Sequence, residues 1–415
     1  MRKRFFKPAK QRMQIQLGGF YRGLLEIAGR PCFIGITGSC GKTTTAELLV
    51  AILSQQGRTQ QGIGANTTDY IARTILRAAP WHRFCVSEVS AHKMGVMAKS
   101  AALLRPHIAV LTNIGGDHYG EFRGVEATVA EKVKLVRALS ADGTAVLNAD
   151  DPNVYAMRER TEARVITYGL SEGAMVRGEN VSCAWPRRLS IDVCHEGQRV
   201  HIQTWLLGEH WAYAILAAVA AAVAAGVSLE RAAKAIGTAS PIASRMSEHA
   251  TPDGVTFIRD DFKAPLWTVP ACMDVLRHAQ ARRKIIAIGS ISDTPKSHSE
   301  RQRAIIRQAI EVADKVVFVG NYSRSALKAR SGPDDDRIMA FPTLHEFDAF
   351  LRDYLQAGDM VLLKGSRRSD HFDRIVLSRT NDIACWRHAC QRDRFCHACA
   401  HRYTAAGPAD AMPVC

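Results

Sequence analysis

No stretch of the chain is long and apolar enough to span a bilayer. The longest run, the Ala-rich segment from Ala212 to Val227, falls short of the about 20 residues a spanning helix needs and is poor in bulky aliphatics. Nothing near the N-terminus has the long apolar core of a cleavable signal, and the eleven cysteines are scattered without the spacing of a secreted disulfide framework. A reducing cytoplasm is therefore the expected location. Long Lys/Arg blocks and basic surfaces interleaved with aromatics are also missing. The net charge of +15 thus favours an acidic partner such as a nucleotide or anionic lipid without marking a specific nucleic-acid binder. The guanine signature Asn/Thr-Lys-x-Asp is absent too, which argues against a GTPase. What remains, 415 residues at 47% hydrophobic and 23% charged, has the composition of a globular protein of two or three domains.

The most informative stretch runs from Phe33 to Thr45, FIGITGSCGKTTT. It reads as a short apolar strand, a glycine-punctuated turn and a helix over about Thr43 to Ser54. Gly38 and Gly41 let backbone N–H groups turn toward an anion, and the helix aims its positive end at the same point. In such a phosphate cradle Gly38, Ser39, Cys40, Gly41 and Thr44 surround the phosphates. Lys42 reaches the outer ones, and Thr43 offers its hydroxyl to Mg²⁺. The general pattern has glycine where this chain has Ile36.

Apolar runs at Phe84–Val86, Ile108–Leu111, Ala145–Leu147 and Val165–Thr167 alternate with helical patterns near Thr67 to Ala78 and Val125 to Leu139. This predicts an α/β class with a buried parallel sheet. Sites in such sheets lie beyond the carboxyl ends of the strands. There the chain places Glu88 and the segment Thr112-Asn113-Ile114-Gly115-Gly116-Asp117-His118. A carboxylate and an imidazole at that end suit a divalent cation that bridges phosphates. Lys132, in Glu131-Lys132-Val133-Lys134, reads by itself as part of a solvated helix face. Short alternating stretches from Ala174 to Leu207 predict a small antiparallel sheet. After residue 250 a second set of strands and helices, without G-x-G-x-x-G, predicts a Rossmann-like unit. Before residue 33, a basic arm (Arg2, Lys3, Arg4, Lys7, Lys10, Arg12) leads into an amphipathic helix. That helix either packs on the first domain or lies on an anionic membrane surface. Its glycines, Gly18, Gly19 and Gly23, favour packing.

Taken together, Gly35–Thr44, Thr112–His118, Glu126–Lys132 and Leu147-Asn148-Ala149-Asp150-Asp151-Pro152 resemble the Mur ligase family. These are ATP-dependent amide-bond-forming enzymes of peptidoglycan synthesis and their relatives. The resemblance covers roughly residues 33 to 378, and its own glycine pattern accommodates Ile36. It implies an ATP- and Mg²⁺-dependent ligase in which a substrate carboxylate takes the γ-phosphate and an amine then displaces it. Small-molecule or peptide carboxylates and amines are the implied substrates. Lys42 and Thr43 are implied to serve the phosphates and the first Mg²⁺, and Glu88 and His118 to hold magnesium. Lys132 is implied to be an N-carboxylated lysine that supports a second magnesium. Asn148 is implied to contact the nucleotide. Pro241-Ile242-Ala243-Ser244-Arg245-Met246 resembles the family's hinge, with Arg245 a phosphate contact, and Asp261 and Lys263 would meet the ribose and phosphate side. Lys364-Gly365-Ser366-Arg367 resembles the D-Ala-D-Ala-adding branch.

The domains expected are an arm and helix over 1–32, an ATP-binding central domain over 33–247, a Rossmann-like C-terminal domain over 248–378 and a Cys/His-rich tail over 379–415. Three features depart from the family. Only 32 residues precede Phe33, where the UDP-binding domain of that branch would need about a hundred. Trp211 and Ala214 stand where asparagines usually help to read adenine, and Trp211 reads either as a base-stacking ring or as a core residue. The tail carries Cys385, Cys390, Cys396 and Cys399 with His388, His397 and His401. These are donors that suit tetrahedral Zn²⁺, although only Cys396 and Cys399 form a tight pair, so a loose reduced tail is the alternative. A scaffold that binds nucleotide but has lost ligation is the rival to the enzyme reading.

Overall fold

The computed structural model describes residues 2–91, 93–116, 122, 124–294, 296–388, 390, 392 and 394–404. Two compact units divide the chain. The first is Met1–Ser182, Leu189–Trp205 and Glu209–Ser240; the second runs from Pro241 onward and takes in Cys183–Arg188 and Leu206–Gly208.

The first unit is built on a nine-stranded sheet of order β2-β3-β1-β4-β5-β6-β7-β8-β9. Its centre comprises β1 (Cys32–Thr37), β3 (Phe84–Glu88), β4 (Ile108–Leu111) and β5 (Thr144–Asn148), with β2 (Thr59–Gly62) at one edge and β6 (Arg164–Gly169) beyond β5. These strands run parallel. Every residue of β3, β4 and β5 is buried, which is why their sequences are almost continuously apolar rather than alternating. Because β1 pairs with β3 on one side and β4 on the other, the strand order reverses there, and such a reversal opens a crevice at the carboxyl ends. The expected antiparallel strands are β7 (Val176–Ser182), β8 (Ser190–His195) and β9 (Gln198–Gln203). They extend the large sheet rather than forming a separate one, since β7 pairs parallel with β6 before β8 and β9 turn back. Burial alternates residue by residue along β8, as a strand with one covered face requires.

Helices α2 (Lys42–Ser54), α3 (Thr68–Arg77), α4 (Val96–Leu104), α5 (Val125–Val136) and α6 (Ala212–Ala224) cover this sheet. The alanines of α6 are almost all buried, so this helix is interior, packed against α2 and strands β4 to β7. The N-terminal helix α1 (Arg2–Ile27) lies on α3 and α4. Arg22 is 1% exposed and donates through Nε to the Leu104 carbonyl (2.8 Å) and through Nη2 to that of Arg105 (2.7 Å), with its guanidinium over the Phe33 ring. Those carbonyls close the C-terminal turn of α4, where a cation is favoured. Packing is thus the outcome for this helix. Its outward face nevertheless carries Met13, Leu17, Phe20, Leu24 and Ile27, all exposed.

The second unit has a six-stranded sheet of order β10-β11-β15-β12-β13-β14. It comprises β10 (Ser247–Ala250), β11 (Thr256–Asp260), β12 (Lys284–Ile288), β13 (Lys315–Val319), β14 (Ile338–Phe341) and β15 (Met360–Lys364). All neighbours are parallel except β10. Its helices include α7 (His298–Ala309) and α8 (Leu344–Tyr354). Both start at capping boxes, Ser297 with Glu300 and Thr343 with Glu346, the signature S/T-x-x-E that satisfies two terminal N–H groups at once. A core of Phe257, Ile285, Val317, Phe347, Val361, Leu363 and Phe372 holds these layers together.

Candidate active site

The turn between β1 and α2 is held from outside by the segment after β4. Ser39 N–H donates to the Asn113 carbonyl (2.9 Å), Cys40 N–H to Asn113 Oδ1 (2.8 Å), and Gly115 N–H to Ser39 Oγ (2.8 Å). Thr112 Oγ1 donates to the Cys40 carbonyl (2.5 Å). Gly41, at φ 79°, caps α2 in the left-handed region. At Gly38, φ is 147° and an added Cβ would lie 1.8 Å from Thr112 Oγ1. Gly38→Ala should therefore break the turn and destabilise the unit by roughly 2–4 kcal/mol, whereas Gly41→Ala, which meets only ordinary contacts, should cost about 1–2 kcal/mol through φ alone. Urea unfolding of the two variants checks this ordering, and equal stabilities would contradict it.

Two lysine side chains converge on this turn. Lys42 Nζ donates to the Gly38 carbonyl (2.5 Å) and lies 3.4 Å from that of Ser39. Lys132 Nζ, arriving from α5, donates to the same Gly38 carbonyl at 3.2 Å. Lys132 is 1% exposed, so the solvated-face expectation for it is wrong. The helix face holding Glu131 and Lys132 points inward. Glu131 accepts the N–H groups of Gly95 (3.0 Å) and Met97 (2.7 Å) and so satisfies the N-terminus of α4, while Lys134 pairs with it from the solvent side. As ammonium groups, two lysines on one carbonyl are an arrangement that an anion would stabilise.

Glu88 ends β3, is 1% exposed, and accepts the Gly64 N–H at 2.8 Å. A second carboxylate, Glu47 on α2, was not foreseen; burial, reinforced by Glu88, raises its pKa. Thr44 Oγ1 is buried with no hydrogen-bond partner among the described residues. The residues thus fit a bound phosphate and divalent cation: a buried Thr44 hydroxyl without a hydrogen-bond partner among the described residues, two lysines on the carbonyl of a glycine turn, and the buried carboxylate of Glu88 at the end of the strand next to β1. His118 lies outside the described residues.

Asn148 ends β5 and spends its amide within the fold, Nδ2 donating to the Thr112 carbonyl (2.9 Å) and Oδ1 accepting the Asp150 N–H (3.0 Å). It steadies the segment that steadies the phosphate turn. Asp150 accepts the N–H groups of Leu170 and Ser171, and Asp151 accepts that of Ile114. Trp211 is 5% exposed and Ala214 is 4% exposed, so this tryptophan takes the core reading.

In the second unit, the Arg245 and Arg367 guanidinium groups lie 4.3 and 4.4 Å from the centre of the Phe262 ring. Asp261 is 1% exposed and accepts from Arg259 Nη2 at 3.0 Å; the same nitrogen donates to Ser244 Oγ at 2.9 Å. Lys263 pairs with Asp293 at 2.7 Å. Lys364 is buried against Asp260 (2.5 Å), an internal pair beneath the strand ends. Around the tail, Cys385, Cys390, Cys396 and Cys399 line one cavity together with His401. His388 and His397 do not line it, and His371, which the sequence did not single out, does.

A phosphate turn at the reversal point of a parallel sheet, followed by a second parallel-sheet unit, defines a nucleotide-dependent α/β enzyme of two units. The Mur ligase middle domain matches residues 36–222, and the Mur ligase, glutamate ligase domain matches residues 244–367. UDP-N-acetylmuramoyl-tripeptide–D-alanyl-D-alanine ligase of Mycobacterium bovis is 30% identical over 82% of this chain and 71% of its own length, and its namesake from Synechocystis is 28% identical over 80% and 71%. The crystal structure of MurF from Acinetobacter baumannii superposes with a TM-score of 0.79 at 26% identity, covering 89% of this chain and 80% of that one. The MurF ligase of Thermotoga maritima in complex with ADP shares the fold at a TM-score of 0.75 and 19% identity. The chain belongs to the Mur ligase family, and it is an ATP-dependent ligase that forms amide bonds. Members of the family use ATP with Mg²⁺ and act on small-molecule substrates. Among the described residues no helix is long and apolar enough to cross a membrane.

Proposed function

We propose that the chain joins a peptide carboxylate to the amine of an amino acid or dipeptide, the substrate classes named for its relatives, and that it does so in the cytoplasm. The carboxylate oxygen attacks the γ-phosphorus of ATP and ADP leaves. The amine nitrogen then attacks the acyl carbon, inorganic phosphate leaves, and the amine proton passes to solvent or a base. Phosphoryl transfer of this kind asks chiefly for alignment and charge neutralisation. Lys42 and the amides of Gly38–Thr44 meet the phosphates. Thr43, Glu88, His118 and, as its N-carboxylated form, Lys132 would hold Mg²⁺, which supplies charge neutralisation at the phosphates. Arg245, Asp261 and Lys263 are the proposed nucleotide contacts, and Asn148 is proposed to serve the nucleotide site indirectly, by bracing Thr112. For the tail, the same reading places a structural Zn²⁺ on its thiolates.

The convergence of Lys42 and Lys132 on the Gly38 carbonyl carries this reading. It is tested by ADP release from the purified chain with Mg²⁺-ATP, screened over UDP-muramoyl peptides and free peptides as carboxylates and over amino acids and D-alanyl-D-alanine as amines. Release that requires one carboxylate and one amine together is the expected result. Nucleotide binding without turnover for every pair would favour the inactive scaffold instead.

The exposed stripe on α1, spaced 4-3-4-3 from Met13 to Ile27, together with the basic residues of the first twelve positions, supports a peripheral contact with anionic lipid. Co-sedimentation with phosphatidylserine vesicles should be strong at low salt and should fall when Phe20 and Leu24 become serine. Equal recovery with uncharged vesicles would remove the contact from the reading.

A further inference from the structure

Beyond β15 the chain turns through His371 into α9 (Asp373–Leu377) and then into the tail. His371 and Asp373 are each 1% exposed. Asp373 accepts the N–H of Cys396 through Oδ2, while its Oδ1 is buried with no hydrogen-bond partner among the described residues. His371 Nδ1 stands 3.6 Å from Cys396 Sγ, and the donor atoms of His371, Asp373 and Cys396 all lie within 4.8 Å of one another. Next to them is a cavity of about 20 Å³, lined by His371, His401 and the four tail cysteines. That is room for about one water-sized occupant. Five arginines, at 374, 387, 392, 394 and 402, complete its wall.

We propose that this cavity is a tetrahedral Zn²⁺ site whose ligands are Cys396, Cys399, His371 and one of Cys385 or Cys390, so that the metal ties the tail to the body of the second unit. The proposal rests on the tail-zinc reading and adds a ligand from outside the tail. Zn–S near 2.3 Å and Zn–N near 2.0–2.1 Å at a tetrahedral angle put sulfur and nitrogen about 3.5 Å apart, and the observed separation is 3.6 Å. Cys396 opens the short turn Cys396–Ala398 and Cys399 follows it, so two residues separate the cysteines, the C-x2-C spacing common at zinc sites. Three thiolates and one imidazole around Zn²⁺ carry a net charge of −1. This accounts for the crowd of guanidinium groups, to which neutral thiols would offer no compensation. Asp373 fixes the Cys396 backbone and so orients its sulfur, the part that outer hydrogen bonds play at metal sites. An iron–sulfur cluster would need more room than a single small occupant.

The site has a reach beyond itself. Arg374 Nη1 donates to the carbonyls of Cys385 (3.1 Å) and Arg387 (3.0 Å), clasping the start of the tail. Phe395, next to Cys396, is seated 4.9 Å from the Arg367 guanidinium and 5.8 Å from that of Arg259. Arg259 in turn holds Asp261 and Ser244. The metal therefore sets the position of a ring that packs against the arginines around Asp261.

Full-length protein purified without added metal should contain about one equivalent of zinc by elemental analysis. His371→Ala and Cys396→Ser should each lower it to about a tenth or less, one of Cys385→Ser and Cys390→Ser should do the same, and Cys194→Ser, on β8 of the other unit, should leave it unchanged. Should the variants fold poorly, wild-type protein exchanged into Co²⁺ should show thiolate-to-cobalt charge transfer and the ligand-field bands of a tetrahedral site. Absence of zinc from the wild type, or bound iron with visible absorbance, would overturn the tail-zinc reading and this site with it. Full zinc in folded His371→Ala protein would overturn the His371 tie alone.

Discussion

Replacing Lys42 by alanine is expected to lower ATP turnover by about 10²–10³-fold or more while leaving the thermal unfolding of the chain nearly unchanged. Lys42 is the first residue of α2, and its side chain is only half buried. Its ammonium bends back onto the carbonyls of Gly38 and Ser39, over the turn that the phosphates would occupy. Truncation removes that charge without opening a cavity, since the buried face of α2 is made by Leu48, Leu49, Ile52 and Leu53. Lys42→Arg is expected to rescue little, because a planar fork does not occupy the compact position of an ammonium. Turnover within a few-fold of wild type in Lys42→Ala would remove the phosphate role from this turn.

The same stretch shows why some of the architecture was legible and some was not. β1, the glycine turn and α2 are contiguous, so their pattern carries strand, turn and helix in one window, and the structure follows it to within a residue at the helix start. Lys132 stood out only through the family resemblance, because Glu131-Lys132-Val133-Lys134 by itself looks like any solvated charged face. What turns this face inward is distant in sequence: Gly95 and Met97, some 35 residues earlier, offer N–H groups to Glu131, and Lys132 reaches the Gly38 carbonyl. His371 and Asp373 escaped notice for a related reason. His371 sits in the turn after β15 and Asp373 opens α9, both more than twenty residues from Cys396, and no spacing rule links a single histidine in a turn to a distant thiol. Trp211 was legible only as a pair of alternatives, since an apolar ring before an alanine helix serves a core or a ligand equally well. Asn148 shows a further limit: a polar residue at a strand end can serve the site by bracing Thr112 rather than by meeting the nucleotide itself.

Lys132→Ala should also lose most ligase activity, and what restores it decides the chemical state of this lysine. As an ammonium, Lys132 is a buried cation sharing the Gly38 carbonyl with Lys42, and it would act directly on phosphate oxygens. As a carbamate, formed when the neutral amine attacks CO₂ and releases one proton, it would present an anionic oxygen, a hard ligand that Mg²⁺ prefers and that an ammonium cannot supply. The two states call for opposite rescue. A vacated carbamate position should accept short carboxylic acids such as acetate or propionate at high concentration, with partial recovery of turnover, whereas a vacated ammonium position should accept methylamine or ethylamine. The carbamate reading further expects wild-type activity to fall in CO₂-depleted buffer and to return on adding bicarbonate, a response that Lys132→Ala should have lost. Because Lys132 is among the largest fully buried side chains, its truncation should also cost about 1–3 kcal/mol of stability, so each assay needs a matched unfolding curve to separate lost fold from lost chemistry. Rescue by amines and not acids, in folded protein indifferent to CO₂, would refute the carbamate and leave two lysine ammonium groups as the cationic floor of the phosphate site.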